Sequence, residues 1–466
     1  MRRIAIIGGG LAGVSLANLL IRNPNLAIEV YESKEFSERG ATVGLGRSAL
    51  VALEKILPAA EDTLVQKTGA TPTESIRVRV GSGKNQGEFL FEIPNMKPRV
   101  SVPRASLLKE LLAHLPEKIL YANMQLTSID KGPDGVSITF EDGTTQLFDA
   151  VIGADGINSR VRGYVLAGQE HGSSPAGFWD CWAMFPSEKV RGSIYEEYLR
   201  PEQQYAFTAD GALLLYALAA GGTMVMAVIS SIEDAGQRQQ GDRQRKLGDE
   251  EKERLRRKWS VANGIVEAIL SEPSLHAYSQ HEPKSTAAYC RDNICLIGDA
   301  AHASTPWQGA GAGQALEDCV ILSALLRSIT DTKDMNKAFR IFESVRMPRC
   351  EQVIQSSRQV GNILCSLEKY ETLEDWRKAL EGKWDYMYAF DLGKQEKEAL
   401  KALQSDVAKI VRIIPPKEAR VAHASVVYLD WKGRPLNLEF EMLAAGFDPY
   451  IGNDSSILVE TDSEEL

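Results

Sequence analysis

The chain has 466 residues, 44% of them hydrophobic and 25% charged, with a formal net charge of −10. Its length exceeds the roughly 250–300 residues that one hydrophobic core accommodates, so two or more domains are expected. The apolar and charged fractions are those of a soluble globular protein, and the acidic balance argues against nucleic acid or an anionic membrane as the main partner.

Six cysteines (Cys181, Cys290, Cys295, Cys319, Cys350 and Cys365) show neither a CxxC pair nor metal-type spacing. They predict reduced core thiols in a cytoplasmic protein without a metal site. The N-terminal run begins with two arginines, but glycines interrupt it and an ordinary folded sequence follows, so it reads as part of the fold. No transmembrane span is expected, because the apolar stretch 212–229 is broken by Ala219-Ala220-Gly221-Gly222 into two strands and a turn.

Taken in order, a buried strand is predicted over 3–7, followed at once by Gly8-Gly9-Gly10-Leu11-Ala12-Gly13 and a helix that Asn23-Pro24 ends. A second strand over 27–31 ends in Glu32. This is GxGxxG in a strand–loop–helix setting with an acid about 20 residues on, which predicts dinucleotide binding without separating FAD from NAD. Gly8 permits the turn, Gly10 admits a pyrophosphate, Gly13 lets the helix lie close to the sheet, and Glu32 would accept from ribose hydroxyls.

Residues 40–56 read as a loop entering a helix, with Arg47 either a cofactor contact or a solvated helix-start charge. Strands over 77–80 and 89–93 form a sheet excursion. Arg104, between a strand and a helix over 107–115, is a candidate cofactor contact. A meander over 126–129, 136–140 and 144–148 turns at Asp142-Gly143 and leads into a strand that ends in a second acid, Asp155-Gly156. An acid there points to a ligand rather than to folding alone.

From 178 to 229 aromatic-rich alternating strands predict an antiparallel sheet able to wall an apolar pocket. Tyr216 is its candidate substrate contact; the alternative is a core tyrosine with a satisfied hydroxyl. Residues 233–258 read as a charged surface.

The chain then reaches 295–318, CLIGDAAHASTPWQGAGAGQALED. An apolar strand turns at Gly298-Asp299, and a loop with Gly309, Gly311 and Gly313 feeds a helix. Carboxylate, glycine loop and helix start together make a site for a large polarised cofactor. Helices follow over 320–328, 335–344, 349–367, 373–390 and 394–411. Strand-like pieces at 425–429 and 436–440 precede an acidic end expected to be disordered.

Three motifs in fixed order, GxGxxG at 8–13, GADGINSRVR at 153–162 and GDAAHASTPWQGAGAGQALED at 298–318, resemble the single-component (group A) FAD-dependent aromatic monooxygenases. This is the para-hydroxybenzoate hydroxylase fold, and the last motif is most similar to its fungal salicylate hydroxylase-like branch. The predicted fold is α/β: a Rossmann-like FAD-binding domain with an inserted, mainly antiparallel β-sheet substrate domain and C-terminal helices. The expected order is FAD-binding 1–75, sheet excursion 76–100, FAD-binding 101–175, substrate sheet 176–284, FAD-binding and helices 285–390, and a helical extension with a tail over 391–466.

By that resemblance, Gly8, Gly10, Gly13 and Glu32 hold the ADP half of FAD, and Arg104 reaches its phosphate or ribityl region. Asp155 belongs to a fingerprint associated with FAD and NAD(P)H, and Asp299 binds the ribityl chain. Pro306 lies beside the reacting edge of the flavin. Gly311, Ala312 and Gly313 open the helix, the last two with amides facing the flavin's N1/C2 carbonyl side. The implied reaction takes a hydride from NADPH or NADH, adds O2 at the flavin C4a carbon and passes one oxygen to an electron-rich ring, by hydroxylation, epoxidation or dearomatisation. The expected partners are a small aromatic substrate and O2, with no nucleic acid and no membrane span; the oligomeric state is left open.

Three positions depart from the family pattern: Trp182-Ala183 stands where many relatives carry Tyr-Arg, Trp307 where His is common, and Ser48 where Asn is common. These losses of polarity turn the expectation to a larger apolar aromatic, such as a polyketide phenol or an indole, with a salicylate 1-monooxygenase-type reaction as the alternative. An NAD-dependent dehydrogenase leaves the second and third motifs unexplained. A flavin-dependent halogenase needs WxWxIP, which Trp179, Trp182 and Pro186 do not match in spacing. A non-catalytic flavoprotein would bind FAD without turnover.

Overall fold

A computed structural model describes residues 1–405 apart from 38–41, 58, 94–98, 169–171, 195, 201, 234–242, 284–285 and 366–369, together with the strands 410–413 and 426–429. At its centre is the strand Arg2–Ile7, in which Ile4, Ala5 and Ile6 are wholly buried. A near-continuous apolar run of this kind suits a parallel strand covered on both faces. It pairs in parallel with Leu26–Tyr31 on one side and Ala150–Gly153 on the other. Leu120–Tyr121 extends the sheet beyond the first, Ile294–Leu296 and Cys290–Arg291 beyond the second. Segments far apart in the chain therefore meet in one six-stranded sheet, and the helices Leu11–Leu20 and Gly311–Ser328 share its core. The meander Leu126–Gly132, Gly135–Phe140 and Thr145–Phe148 makes a small antiparallel sheet of its own.

A second sheet has eight strands, in the order Gln244–Lys246, His276–Pro283, Ser173–Pro186, Met224–Ile232, Ala212–Ala219, Gln203–Ala209, Ser75–Val80 and Phe89–Ile93. The excursion near 76–100 joins it as its edge, through a parallel pairing of Ser75–Val80 with Gln203–Ala209. Strand period decides what each face does. Trp179, Cys181, Ala183 and Phe185 are buried in one core with Tyr205, Phe207, Leu214 and Tyr216, beneath the helix Asn263–Leu270. On the alternate positions Trp182 and Met184 stay 38% and 45% exposed.

The C-terminal helices differ from the expected boundaries in three places. Residues 335–344 and 349–367 are one helix, Met335–Leu364, which runs through Pro348. An interior proline costs a helix about 3 kcal/mol, and here the buried side chains of Arg346 and Arg349 bracket it and tie it to neighbouring elements. The helix expected over 373–390 is instead Leu373–Leu380 and Asp385–Tyr388, separated at Gly382, whose φ is +69°. The helix expected to reach 411 ends at Gln404; Ile410–Ile413 is extended and pairs with Val426–Leu429. The piece at 436–440 and the acidic end lie outside the described residues. Among the described residues no helix is long and apolar enough to cross a membrane, and all six cysteines are buried as free thiols.

Candidate active site

The first motif folds into a groove of about 640 Å³ lined by Gly8, Gly10, Tyr31, Glu32, Asp155, Asn158 and Arg160, among others. Gly8 has φ +114°, and a Cβ there would stand 2.2 Å from Ala154 O. A Cβ on Gly13 would stand 2.0 Å from Gly8 O, so the helix lies as close to the turn as its spacing implied. Gly10 caps the helix without a side-chain hydrogen bond, leaving its first N–H groups for an anion. Glu32 reaches back to accept from Gly9 N–H at 2.7 Å and stands at the groove's rim. Bare glycines, an uncapped helix start and a carboxylate fit the ADP half of FAD.

Asp155 has a folding task that the sequence reading did not assign. Its carboxylate accepts from Ser159 Oγ at 2.5 Å, Arg160 N–H at 2.7 Å and Val161 N–H at 3.3 Å, so it caps the helix Arg160–Val165 while lining the groove. Burial raises its pKa, against those hydrogen bonds. Arg162, wholly buried, donates to Ala300 O and ties this second motif to the third.

In the third motif Gly298 (φ +58°) sits between Ala12 and Ala315, which brings the two glycine-led helices together. Asp299 is exposed at the turn. Beneath it lies a network missed at the sequence level, although both its outer members belong to the 298–318 motif. Asp318 accepts from Gly298 N–H at 2.9 Å, from the His302 ring at 2.5 Å and from Arg346 Nε at 2.8 Å. Burial alone would lower the His302 pKa, but Asp318 and Cys350 together outweigh it, through charge and hydrogen bonds, and hold the imidazole well above its usual value. Burial alone would raise Asp318, and His302 and Arg346 hold it below the usual carboxylate value. Arg346 also donates to Glu317 at 2.8 Å and to Gln314 Oε1 at 2.9 Å. The signal for this network was the buried-type spacing of charges inside apolar helices, visible only once the helices are placed.

The loop after His302 is pinned from both ends. Thr305 and Ser357 exchange hydrogen bonds of 3.0 and 2.7 Å, and Gln308 donates to Lys383 O and accepts from the Tyr386 hydroxyl, both at 2.8 Å. Trp307 turns into the core against Phe178, centroids 5.0 Å apart, instead of facing a pocket. Pro306 and Gly309 are thereby held exposed. Gly311, Ala312 and Gly313 form the first turn of the helix Gly311–Ser328, which has no side-chain cap, and Gly313 lies against Ala49. Arg47 is the exposed first residue of the helix Arg47–Ile56, and Arg104 opens the helix Arg104–Ala113.

The substrate candidate Tyr216 is a correction. It is 1% exposed, its hydroxyl donates to Tyr198 O at 3.1 Å, and it lies on the sheet face that packs beneath Asn263–Leu270. Strand alternation sends it away from Trp182 and Met184. On their face, the strands meet the antiparallel pair Thr42–Leu45 and Val100–Pro103 around a cavity of about 250 Å³ lined by Thr42, Ser101, Met184, Gln204, Ala217 and Met226. Asp180, two positions from Trp182, was also missed: it accepts from Ser230 Oγ at 2.5 Å and Gln280 Nε2 at 2.8 Å, and burial pushes its pKa up to about 6.

A nucleotide groove and an uncapped helix start behind a glycine loop, beside a second large sheet, fit a flavin-dependent oxidoreductase. A family model described as an FAD binding domain matches residues 1–357, and the chain belongs to that family, in its salicylate hydroxylase-like branch. It is 33% identical over 422 residues to 6-methylsalicylate 1-monooxygenase of Aspergillus terreus, covering 87% of this chain and 93% of that protein. Similarity to a salicylate hydroxylase of Pseudomonas putida is 30% over 387 residues, covering 78% and 86%. Among solved structures, a salicylate hydroxylase substrate complex shares the fold with a TM-score of 0.75 at 23% identity, over 85% of this chain and 98% of that one. The chain is an FAD-dependent monooxygenase that uses NAD(P)H and O2 on an aromatic substrate.

Proposed function

We propose that this monooxygenase inserts oxygen into a single-ring phenol, bound between the inward face of the eight-stranded sheet and the strands Thr42–Leu45 and Val100–Pro103. The observation that carries the reading is the apolar cavity of about 250 Å³ between Met184, Met226 and Ser101. It is smaller than the roughly 300–1,000 Å³ usual for drug-sized ligands, which favours one ring over a fused polyketide or an indole. The relatives named for 6-methylsalicylate and salicylate support the same size class.

FAD, when bound, supplies the redox chemistry, carrying electrons from NAD(P)H to O2. We assign Gly8, Gly10, Gly13 and Glu32 to its ADP half, Arg104, Asp155 and Asp299 to the intervening chain, and Gly311, Ala312 and Gly313 to its ring, with Arg47 nearby. The chain's own contributions are positional. The helix start at Gly311 favours negative charge beside it, the pinned loop fixes Pro306, and Met184 and Met226 exclude water from the ring's surroundings. We place the enzyme in the cytoplasm, where its six free thiols stay reduced.

The test is NADPH and NADH oxidation by the purified yellow protein, with peroxide measured in parallel, across phenols, hydroxybenzoates and indoles. One single-ring phenol that accelerates oxidation without matching peroxide supports the proposal. Coupled turnover confined to indoles or fused rings refutes it, and oxidation with none of these compounds leaves a flavoprotein without this activity.

A further inference from the structure

Trp307 lies on the loop between His302 and the helix Gly311–Ser328, and its indole rests on the backbone of Gly361 in the helix Met335–Leu364. A Cβ on Gly361 would stand 2.4 Å from Trp307 Nε1 and 2.6 Å from both Cδ1 and Cε2. The ring also meets Phe178 in an edge-to-face arrangement. Gly361 is one turn beyond Ser357, which exchanges hydrogen bonds with Thr305. One ridge of the helix therefore receives both residues that flank Pro306.

Two local penalties meet at this contact. A glycine buried inside a helix is less favourable than alanine, because it loses more backbone freedom on folding. The Trp307 Nε1–H is buried, and among the described residues it has no hydrogen-bond partner; a buried donor left unpaired costs free energy. Alanine at 361 and leucine or phenylalanine at 307 would avoid both. Helix propensity and core burial favour neither residue, yet the indole fits only over a position without a Cβ. Local preference is set aside in this way where the fold must preserve a position.

The position preserved is that of the loop. Thr305 and Gln308 are tied by hydrogen bonds on either side, and Trp307 is the apolar anchor between them, with Pro306 left exposed. Phe178 lies on the strand Ser173–Pro186, on the face it shares with Trp182 and Met184. The indole thus joins the helix, the sheet face beside the proposed ring site and the loop assigned to the flavin. We propose that Trp307 and Gly361 are positioning residues: their contact sets where Pro306 stands against the flavin, and through it the share of consumed NAD(P)H that ends in oxygenated product rather than peroxide. This rests on the monooxygenase reading and adds the residues that fix its geometry.

The experiment compares the flavin-loaded parent with Gly361→Ala, Trp307→Val and the variant carrying both. It follows the visible circular dichroism of the bound flavin, and the peroxide released per NAD(P)H oxidised with a single-ring phenol that the parent oxygenates. Valine removes the three indole atoms that a Cβ at 361 would meet. Gly361→Ala is expected to change the flavin spectrum and to lower product formation by about tenfold or more, since a misplacement of about 1 Å costs up to about a hundredfold. The lost product appears as peroxide. In the Trp307→Val background the same alanine should change neither quantity, because the two residues act through one contact. A variant that purifies without flavin is read by its FAD affinity on reconstitution, under the same criterion. Unchanged flavin spectra in both single variants, or an alanine effect that persists in full in the Trp307→Val background, overturns the proposal. A yellow parent that oxygenates no phenol overturns the monooxygenase reading and the product share with it, while the flavin spectra still decide whether the contact positions the loop. A parent without flavin overturns both.

Discussion

At Gly8 two independent constraints meet: a φ of +114° and a neighbouring carbonyl 2.2 Å from any added Cβ. Either one strains an L-residue, and together they force the turn to move. Gly8→Ala is therefore expected to weaken FAD binding by at least about tenfold, or 1.4 kcal/mol, and to lower Tm; flavin retained through gel filtration at parental stoichiometry would contradict this. Asp180 presents the opposite situation, a carboxyl whose environment favours the neutral form. Its folded pKa of about 6 lies above the unfolded value of about 3.9. Between those values the folded state binds more protons, so this residue's contribution to stability falls as pH rises and levels off above pH 6, at a cost of at most about 3 kcal/mol. Asp180→Asn removes the charge, and the buried, unpartnered Gln280 Oε1 can accept from the new amide. The variant should gain stability over the parent at pH 7 but not at pH 4, in parallel thermal melts. Equal stability differences at both values would show that Asp180 ionises without penalty.

Among the elements, the helix Gly311–Ser328 is the one whose position decides the site, and Asp318 fixes its distance from the Gly298 turn. Removing that charge leaves His302 and Arg346 buried with less compensation, a change that costs about 3–5 kcal/mol for ion pairs of this kind. Asp318→Asn is expected to lose that much in denaturant unfolding and to release FAD with it. The pH dependence has two limbs. Asp318, with a lowered folded pKa, stabilises above its unfolded value and loses that contribution as the solution is acidified through the folded one. His302, with a raised folded pKa, stabilises below its unfolded value of about 6.5 and loses that contribution as pH rises through the folded one. His302→Gln should accordingly remove the alkaline limb and shrink the acid one, since His302 also helps to lower Asp318. In Met335–Leu364, Pro348 removes a helical hydrogen bond, so Pro348→Ala should raise Tm. An unchanged Tm would mean that the surrounding packing requires the proline's distortion.

At the scale of the molecule, every candidate residue lies between Gly8 and Gly313, and the last described helix, Leu392–Gln404, is tied to Met335–Leu364 through Gln395 and Arg346. A chain ending after Ser405 should therefore purify yellow and oxidise NAD(P)H like the parent; loss of flavin on that truncation would assign the tail a role in folding the site. The eight-stranded sheet meets a separate small sheet where the strands Thr42–Leu45 and Val100–Pro103 face Met184 and Met226, and Thr42 Oγ1 lies 3.3 Å from Met226 Sδ.

The motifs were legible because their physics is local. Gly8, Gly13 and Gly298 meet their neighbours through backbone geometry that spacing alone encodes, and strand period predicted the antiparallel sheet that carries Tyr216 and Trp182. Period does not say which face is covered, so the assignment of Tyr216 to substrate failed, and Trp307 was read toward a pocket when its ring packs on Phe178. Pro348 and Gly382 were misjudged for a related reason: one breaker is overridden by buried charges arriving from other helices, and the other acts through a φ that no spacing reveals. The nucleotide-binding turn at Gly8–Gly13 was legible in the sequence by itself, and the flavin class through the fixed order of three motifs. The pairing of His302 with Asp318 and Arg346 was decided only by tertiary structure, because it depends on which distant segments share a low-dielectric space.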